Sequence, residues 1–78
     1  MVVEVRLYAT LRRYTPASPN GVITVDVPDG STVLDLVRKV NLYPTEIHLI
    51  IVNGIGCDFE KRLNNGDRVG LFPPVGGG

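Results

Sequence analysis

The chain has a single cysteine, a single histidine and no excess of either charge in its 78 residues, and each scarcity removes a class of function. Cys57 alone excludes an internal disulfide and a cysteine-rich metal centre, and it suits a reducing cytosol. His48 alone excludes a histidine-rich metal site, and a surface position at the start of a strand is its expected role. Eight basic residues cancel eight acidic ones, leaving no overall field to draw in nucleic acid or an anionic membrane. No apolar run approaches membrane-spanning length. No Gly-x-x-x-x-Gly-Lys-Ser/Thr loop and no Gly-x-Gly-x-x-Gly opens a helix, so a partner must hold any nucleotide the function needs. The opening residues, Met1 to Arg6, alternate apolar and charged side chains and read as a strand instead of a signal peptide. A soluble, cytoplasmic protein is expected.

What remains is a small domain with an ordinary globular composition. Its 44% hydrophobic and 21% charged content fits a folded chain and not a disordered one. A domain of this length buries only about 60% of its unfolded surface, which leaves room for one sheet and one helix but no enclosed active site.

Along the chain, Val3, Val5 and Leu7 alternate with Glu4, Arg6 and Tyr8, the period-two signature of a strand with one buried face. Ala9 to Tyr14 loses the alternation and is short enough for one helical turn, before Thr15 to Gly21 makes a loop. Ile23, Val25 and Val27 alternate with Thr24 and Asp26, a second strand that forms a hairpin with the first and ends at Pro28-Asp29-Gly30. Ser31 and Thr32 are N-cap residues, and Asp35, three after Thr32, nearly completes a capping box. A helix follows, with Val33, Leu36, Val37 and Val40 on one side, Arg38 and Lys39 near its C-terminal end, and Asn41 as its stop. Leu42 to Ile47 is a connector, His48 to Val52 a third strand, and Asn53-Gly54 a hairpin turn into a short edge strand, Ile55-Gly56-Cys57. Asp58 to Leu63 is an irregular or single-turn segment. Asn65-Gly66 turns the chain into a last strand, Asp67 to Phe72, with Val69 and Leu71 on one face. The order of elements predicts an α+β fold of the β-grasp kind, a mixed sheet of about four to five strands packed against one main helix, with the first and last strands central and parallel.

The last eight residues, Leu71-Phe72-Pro73-Pro74-Val75-Gly76-Gly77-Gly78, are the informative stretch. Proline fixes φ and biases its predecessor towards extended backbone, so Pro73-Pro74 predicts a stiff spacer leaving the fold. Glycines lack the Cβ that would obstruct passage through a narrow channel. Extended, Pro73 to Gly78 could reach about 20 Å into another protein. The expected division is therefore a β-grasp domain over residues 1–72 and a flexible tail over 73–78. Phe72 and Val75, apolar and beside the prolines, are candidate anchors for a partner, with Phe72 packing on its own core as the alternative. Other candidates are weaker: Arg12-Arg13 and Lys61-Arg62 could meet an acidic partner surface or a phosphate, but solvation is the expected state of such pairs. Asn53, Gly54, Gly66 and Asp67 are expected to serve turns first and an interface second. Cys57 has no cation beside it in sequence to activate its thiol.

Three stretches together resemble the MoaD/ThiS family of ubiquitin-like sulfur carriers: Val52-Asn53-Gly54, Leu63 to Val69 with its Gly-Asp-x-Val, and Leu71 to Val75 running into terminal glycines. The paired prolines bring it nearest to the small subunit of molybdopterin synthase. The resemblance implies that a ubiquitin-activating-type adenylyltransferase uses ATP to adenylate the carboxylate of Gly78, and that a sulfur donor enzyme then converts it to a thiocarboxylate. It also implies that Phe72, Pro73, Pro74, Val75, Gly76 and Gly77 engage partners. The large subunit of molybdopterin synthase would receive the sulfur for the molybdenum or tungsten cofactor. The carrier would bind no cofactor or metal itself and would catalyse nothing alone. Gly76 departs from the family pattern, which carries a residue such as serine or alanine before its glycine pair. Thiazole synthesis for thiamin, another thiolation, conjugation to protein lysines, and a non-covalent interaction module remain alternatives.

Overall fold

A computed structural model describes residues 1–14 and 20–74, together with the main chain but not the side chain of Tyr14. Five strands, β1 (Val2–Leu7), β2 (Val22–Asp26), β3 (Leu49–Val52), β4 (Ile55–Cys57) and β5 (Arg68–Phe72), form one sheet in the order β2-β1-β5-β3-β4. Among the described residues one helix, α1 (Val33–Lys39), crosses a single face, and two 3-10 turns, Ala9–Tyr14 and Pro44–Glu46, bracket the sheet's end. The β-grasp expectation holds in its central feature: β1 and β5 pair in parallel at the middle of the sheet, with Val5 opposite Val69 and Leu7 opposite Leu71.

Alternation decides which residues face the helix, because successive side chains on a strand point to opposite sides. Val3, Val5 and Leu7 of β1, Val69 and Leu71 of β5, and Ile50 and Val52 of β3 are buried with Val33, Leu36 and Val37 of the helix. Leu11 from the first 3-10 turn closes the same core and is fully buried. Replacing Leu36 or Leu71 by alanine at such positions costs about 2–5 kcal/mol, a large part of the stability of a small domain.

The helix begins where its sequence signals place it. The Asp35 main-chain N–H donates to Thr32 Oγ1 at 3.3 Å, and the Thr32 N–H donates to Asp35 Oδ2 at 2.9 Å, a complete capping box. These hydrogen bonds from Thr32 hold the Asp35 carboxyl below its ordinary range. The helix ends in a Schellman motif: Asn41 takes the left-handed conformation at φ 63°, its N–H donates to the Arg38 carbonyl, and the Leu42 N–H donates to the Val37 carbonyl.

Two turns need a particular backbone. The Leu7 N–H donates to the Gly21 carbonyl, and a Cβ on Gly21, at φ 70°, would sit 2.6 Å from the Leu7 carbonyl oxygen. Asn53 and Gly54, at φ 52° and 84°, both take the left-handed values of a tight hairpin turn between β3 and β4.

The third and last strands are each one residue shorter than expected. His48 precedes β3 and stays exposed, although its N–H still donates to the Phe72 carbonyl at 2.8 Å. Asp67 lies just before β5, and its side chain is turned inward. The connector carries a 3-10 turn that apolar periodicity did not announce, because Pro44 starts it and Glu46 caps it through the Tyr43 N–H.

The capping box sets a pH dependence. A carboxyl whose folded pKa is depressed adds stability that is present above its unfolded-state pKa and lost as pH falls through the folded one. An Asp35→Asn variant should therefore melt below the wild-type chain at neutral pH, with the gap closing in acid. Thermal melts of both across the acid range test this, and a gap that stays constant to the acid limit would remove the charge from the explanation.

Candidate functional site

The helix covers one face of the sheet and leaves the other open, and that open face carries the chain's way out. With Val69 and Leu71 turned to the core, Arg68, Gly70 and Phe72 of β5 must point the other way, as do Glu4, Arg6 and Tyr8 on the β1 side and Leu49 and Ile51 of β3. A shallow depression forms there, floored by Gly70 and Ile51, walled by Tyr8 and Phe72, and rimmed by Arg6 and Arg68.

Its main feature is an aromatic pair. The Tyr8 and Phe72 rings stack with centroids 4.2 Å apart and planes 6° from parallel. Both lie beside Gly70, where an added Cβ would stand 3.4 Å from Tyr8 Cε2 and 3.5 Å from Phe72 Cε1, so the glycine gives the rings their floor. Phe72 therefore does not pack on the helix-side core, the alternative the sequence left open; it is half-buried on the open face, one residue before Pro73. Leu49, 44% exposed and opposite Phe72 in the register, extends the apolar surface to the neighbouring strand.

The rim is cationic. Arg6 Nε donates to Glu4 Oε2 at 3.2 Å, a hydrogen bond that raises the guanidinium pKa, and Arg68 Nε lies 4.0 Å from the same oxygen. Two guanidiniums thus share one carboxylate, which leaves the rim positive beside the aromatic wall.

A second cluster holds the start of β5. Asp67, only 7% exposed, accepts from Asn53 Nδ2 at 2.8 Å and from the Asn64 N–H at 2.7 Å. Asn53 Oδ1 in turn accepts from the Arg68 N–H at 2.9 Å. The Asn-Gly turn of the β3-β4 hairpin is thereby fastened to the Asn-Gly-Asp turn that launches the last strand. The Gly66 N–H donates to the Val2 carbonyl at 2.7 Å, and the Glu4 N–H to the Asp67 carbonyl at 2.9 Å, so β1 holds the same turn from the other side. These residues serve turns, as expected, and their joint effect is to set where β5 starts.

Of the tail residues singled out from sequence, Phe72 stands in the aromatic wall, Pro73 is half-buried and Pro74 is exposed. Val75, Gly76, Gly77 and Gly78 lie outside the described residues. The structure brings in residues that the sequence reading did not single out: Tyr8, Arg6, Arg68 and Ile51. A signal for them was present, because a strand with Val69 and Leu71 inward must turn Phe72 outward, and Tyr8 continues the outward series of Glu4 and Arg6. Arg13, expected to be solvated, instead pairs with Glu46 through Nη2 and Oε2 at 2.6 Å. Cys57 sits half-buried on the edge strand, where burial pushes its thiol pKa up, the opposite of activation. Among the described residues no group of histidine, cysteine or carboxylate side chains could hold a metal ion, and no helix is long and apolar enough to cross a membrane.

A mixed sheet with a parallel central pair grasping one helix, and a central strand that runs out into Pro73-Pro74, defines a ubiquitin-like β-grasp domain. The chain belongs to the ThiS family, whose model matches residues 5–78. It is similar to a molybdopterin synthase sulfur carrier subunit of Dictyostelium discoideum, 37% identical over 65 residues that span 72% of this chain and 76% of the relative. Among solved structures it is similar to a putative molybdopterin converting factor subunit 1 of Pyrococcus furiosus, with a TM-score of 0.73 and 26% identity, covering 96% of this chain and 99% of that one. SAMP1 of Haloferax volcanii matches with a TM-score of 0.69 and 26% identity over the whole of both chains.

The Asp67 cluster yields a direct test. Asp67→Ala leaves Asn53 Nδ2 and the Asn64 N–H without their acceptor, and removing a charged, mostly buried acceptor should cost roughly 2–4 kcal/mol. Urea unfolding of Asp67→Ala, Asn53→Ala and the double variant should show coupled losses, because the two side chains share one network. Additive losses would mean that the two turns are held independently.

Proposed function

We propose that this chain is a sulfur carrier for molybdopterin synthesis that works through the carboxylate of Gly78. The observation that carries the reading is the placement of Pro73 and Pro74. They follow the central strand of a ThiS-family β-grasp domain directly after Phe72 of the Tyr8–Phe72 wall and stiffen the exit there.

The chemistry explains the design. A carboxylate is a poor electrophile, so one of its oxygens attacks the α-phosphorus of ATP on an adenylating partner, and pyrophosphate leaves. Sulfide-level sulfur then adds to the carbonyl carbon, AMP leaves, and loss of the thioacid proton gives a thiocarboxylate. Its soft anionic sulfur is a nucleophile at neutral pH, as a thiolate is. The carrier supplies no base or metal; its contribution is a carboxylate that can be delivered. ATP belongs to the adenylating partner, sulfur to a donor enzyme, and the product thiocarboxylate to a large synthase subunit, all in the cytoplasm. The division into a folded part through Phe72 and a delivering tail from Pro73 belongs to the same reading.

The open face fits a docking role. Its apolar centre of Phe72, Tyr8, Ile51 and Leu49 adjoins Pro73, so a partner seated there lies next to the start of the tail. The arginines on the rim suit a partner whose surrounding surface is acidic.

Intact mass spectrometry of the chain, recovered with its own C-terminus after incubation with the adenylating enzyme, ATP and a sulfide source, tests the function. The expected outcome is a mass gain equal to replacing one oxygen by sulfur, absent from a variant lacking Gly78. No gain in the wild-type chain would sink the carrier reading, and isopeptide-linked ladders on protein lysines would move conjugation ahead of it. Phe72→Ala, which alters the open face and not the core, should weaken thiocarboxylate formation through a raised KM while changing the melting temperature little.

A further inference from the structure

Beyond the end of β5 the chain passes between two 3-10 turns. This follows from strand order: β5 lies between β1 and β3, so the turn that follows β1 and the turn that precedes β3 flank whatever β5 continues into. Ala9, at φ 51°, takes a left-handed conformation unusual for a residue with a Cβ, and this swings the first turn out of the line of β1. Pro73 and Pro74 then line a cleft with Thr10, Leu11, Arg13 and Glu46.

The two turns are joined across that cleft by side chains that are each tied down at home. Arg13 Nη1 donates to the Thr10 carbonyl at 3.2 Å within the first turn. The Tyr43 N–H donates to Glu46 Oε1 at 3.4 Å within the second. Between them, Arg13 Nη2 donates to Glu46 Oε2 at 2.6 Å, linking residues 33 apart in sequence. Stability accounts for only part of this arrangement. Leu11 and Ile47 already anchor both turns in the core, and the pair, with its arginine 58% exposed and its Glu46 side chain 19% exposed, adds a modest contribution to folding. What the bridge fixes is the relation of the two turns, and so the gap between them.

We infer that Arg13 and Glu46 form a collar that sets the direction in which Pro73-Pro74 leaves the domain, and are thereby positioning residues for activation of the tail. The inference rests on the carrier reading above. Two consecutive prolines with restricted φ pass a deflection at their base along the stiff start of the tail, so the residues after them set out towards the partner from a displaced point. A reacting group displaced by about 1 Å can lose up to about 100-fold in rate. The collar therefore acts on the chemical step and not on docking, which belongs to the open face.

The test is adenylation of the full chain by its activating enzyme with ATP, read as pyrophosphate release in a single turnover at varied carrier concentration. Arg13→Ala and Glu46→Ala should each slow the saturated rate about tenfold, with the half-saturating concentration little changed and the melting temperature lowered by a few degrees at most. The double variant Arg13→Ala/Glu46→Ala should be no slower than either single variant, because one bridge is lost in all three. Arg13→Lys, which keeps a cation that can reach Glu46, should recover most of the rate. Unchanged saturated rates would overturn the collar, and so would additive losses carried by half-saturation, since these would place both side chains in direct contact with the partner. A wild-type chain that releases no pyrophosphate would bring down the carrier reading itself, and the collar with it. An active wild type whose single variants keep the wild-type saturated rate removes the collar alone.

Discussion

The parallel pairing of β1 with β5 is the constraint on which the other features depend. It brings the first and last strands of the chain together at the centre of the sheet, and that contact requires the helix to cross over and cover one face. With Val5 against Val69 and Leu7 against Leu71, the apolar residues of both strands point into the same core. The alternation that buries them also turns Arg6, Gly70 and Phe72 outward. A single register thus produces both the core and the open face, and a slip of one residue would exchange them.

The same pairing explains where Pro73 and Pro74 leave the sheet. A strand at the sheet's edge would deliver its continuation to one side of the domain, flanked by a single neighbour. A central strand delivers it between two neighbours, and here both supply short turns beside the exit, closed by Arg13 and Glu46. At its other end β5 is held by Asp67 and Asn53, which tie its launch point to the β3-β4 hairpin. The strand is therefore located at both termini by polar contacts and along its length by the core.

The surface chemistry of the described residues is concentrated in one place. The histidine is exposed, burial raises the cysteine's thiol pKa, and among the described residues no metal-binding group forms. The conspicuous surface chemistry lies next to the exit: a stacked aromatic pair, two apolar residues on β3 and an arginine rim. Burial of such rings against a partner is a larger source of binding energy than any of the exposed ion pairs.

By itself the sequence determined the five strands, the main helix and their order. Period-two alternation marked β1, β2 and β5, Thr32 and Asp35 marked the helix start, Asn41 its end, and Asn53-Gly54 the hairpin, because each of these signals acts over a few neighbouring residues. The exit through Pro73-Pro74 was legible for the same reason, since proline restricts its own backbone. Only the tertiary structure decided that Phe72 turns away from the core to stack on Tyr8, that Asp67 is buried to join two turns, and that Arg13 finds Glu46. Each of those contacts links residues far apart in the chain, and which distant partners meet is settled by strand order and register, quantities to which no local pattern of side chains is sensitive.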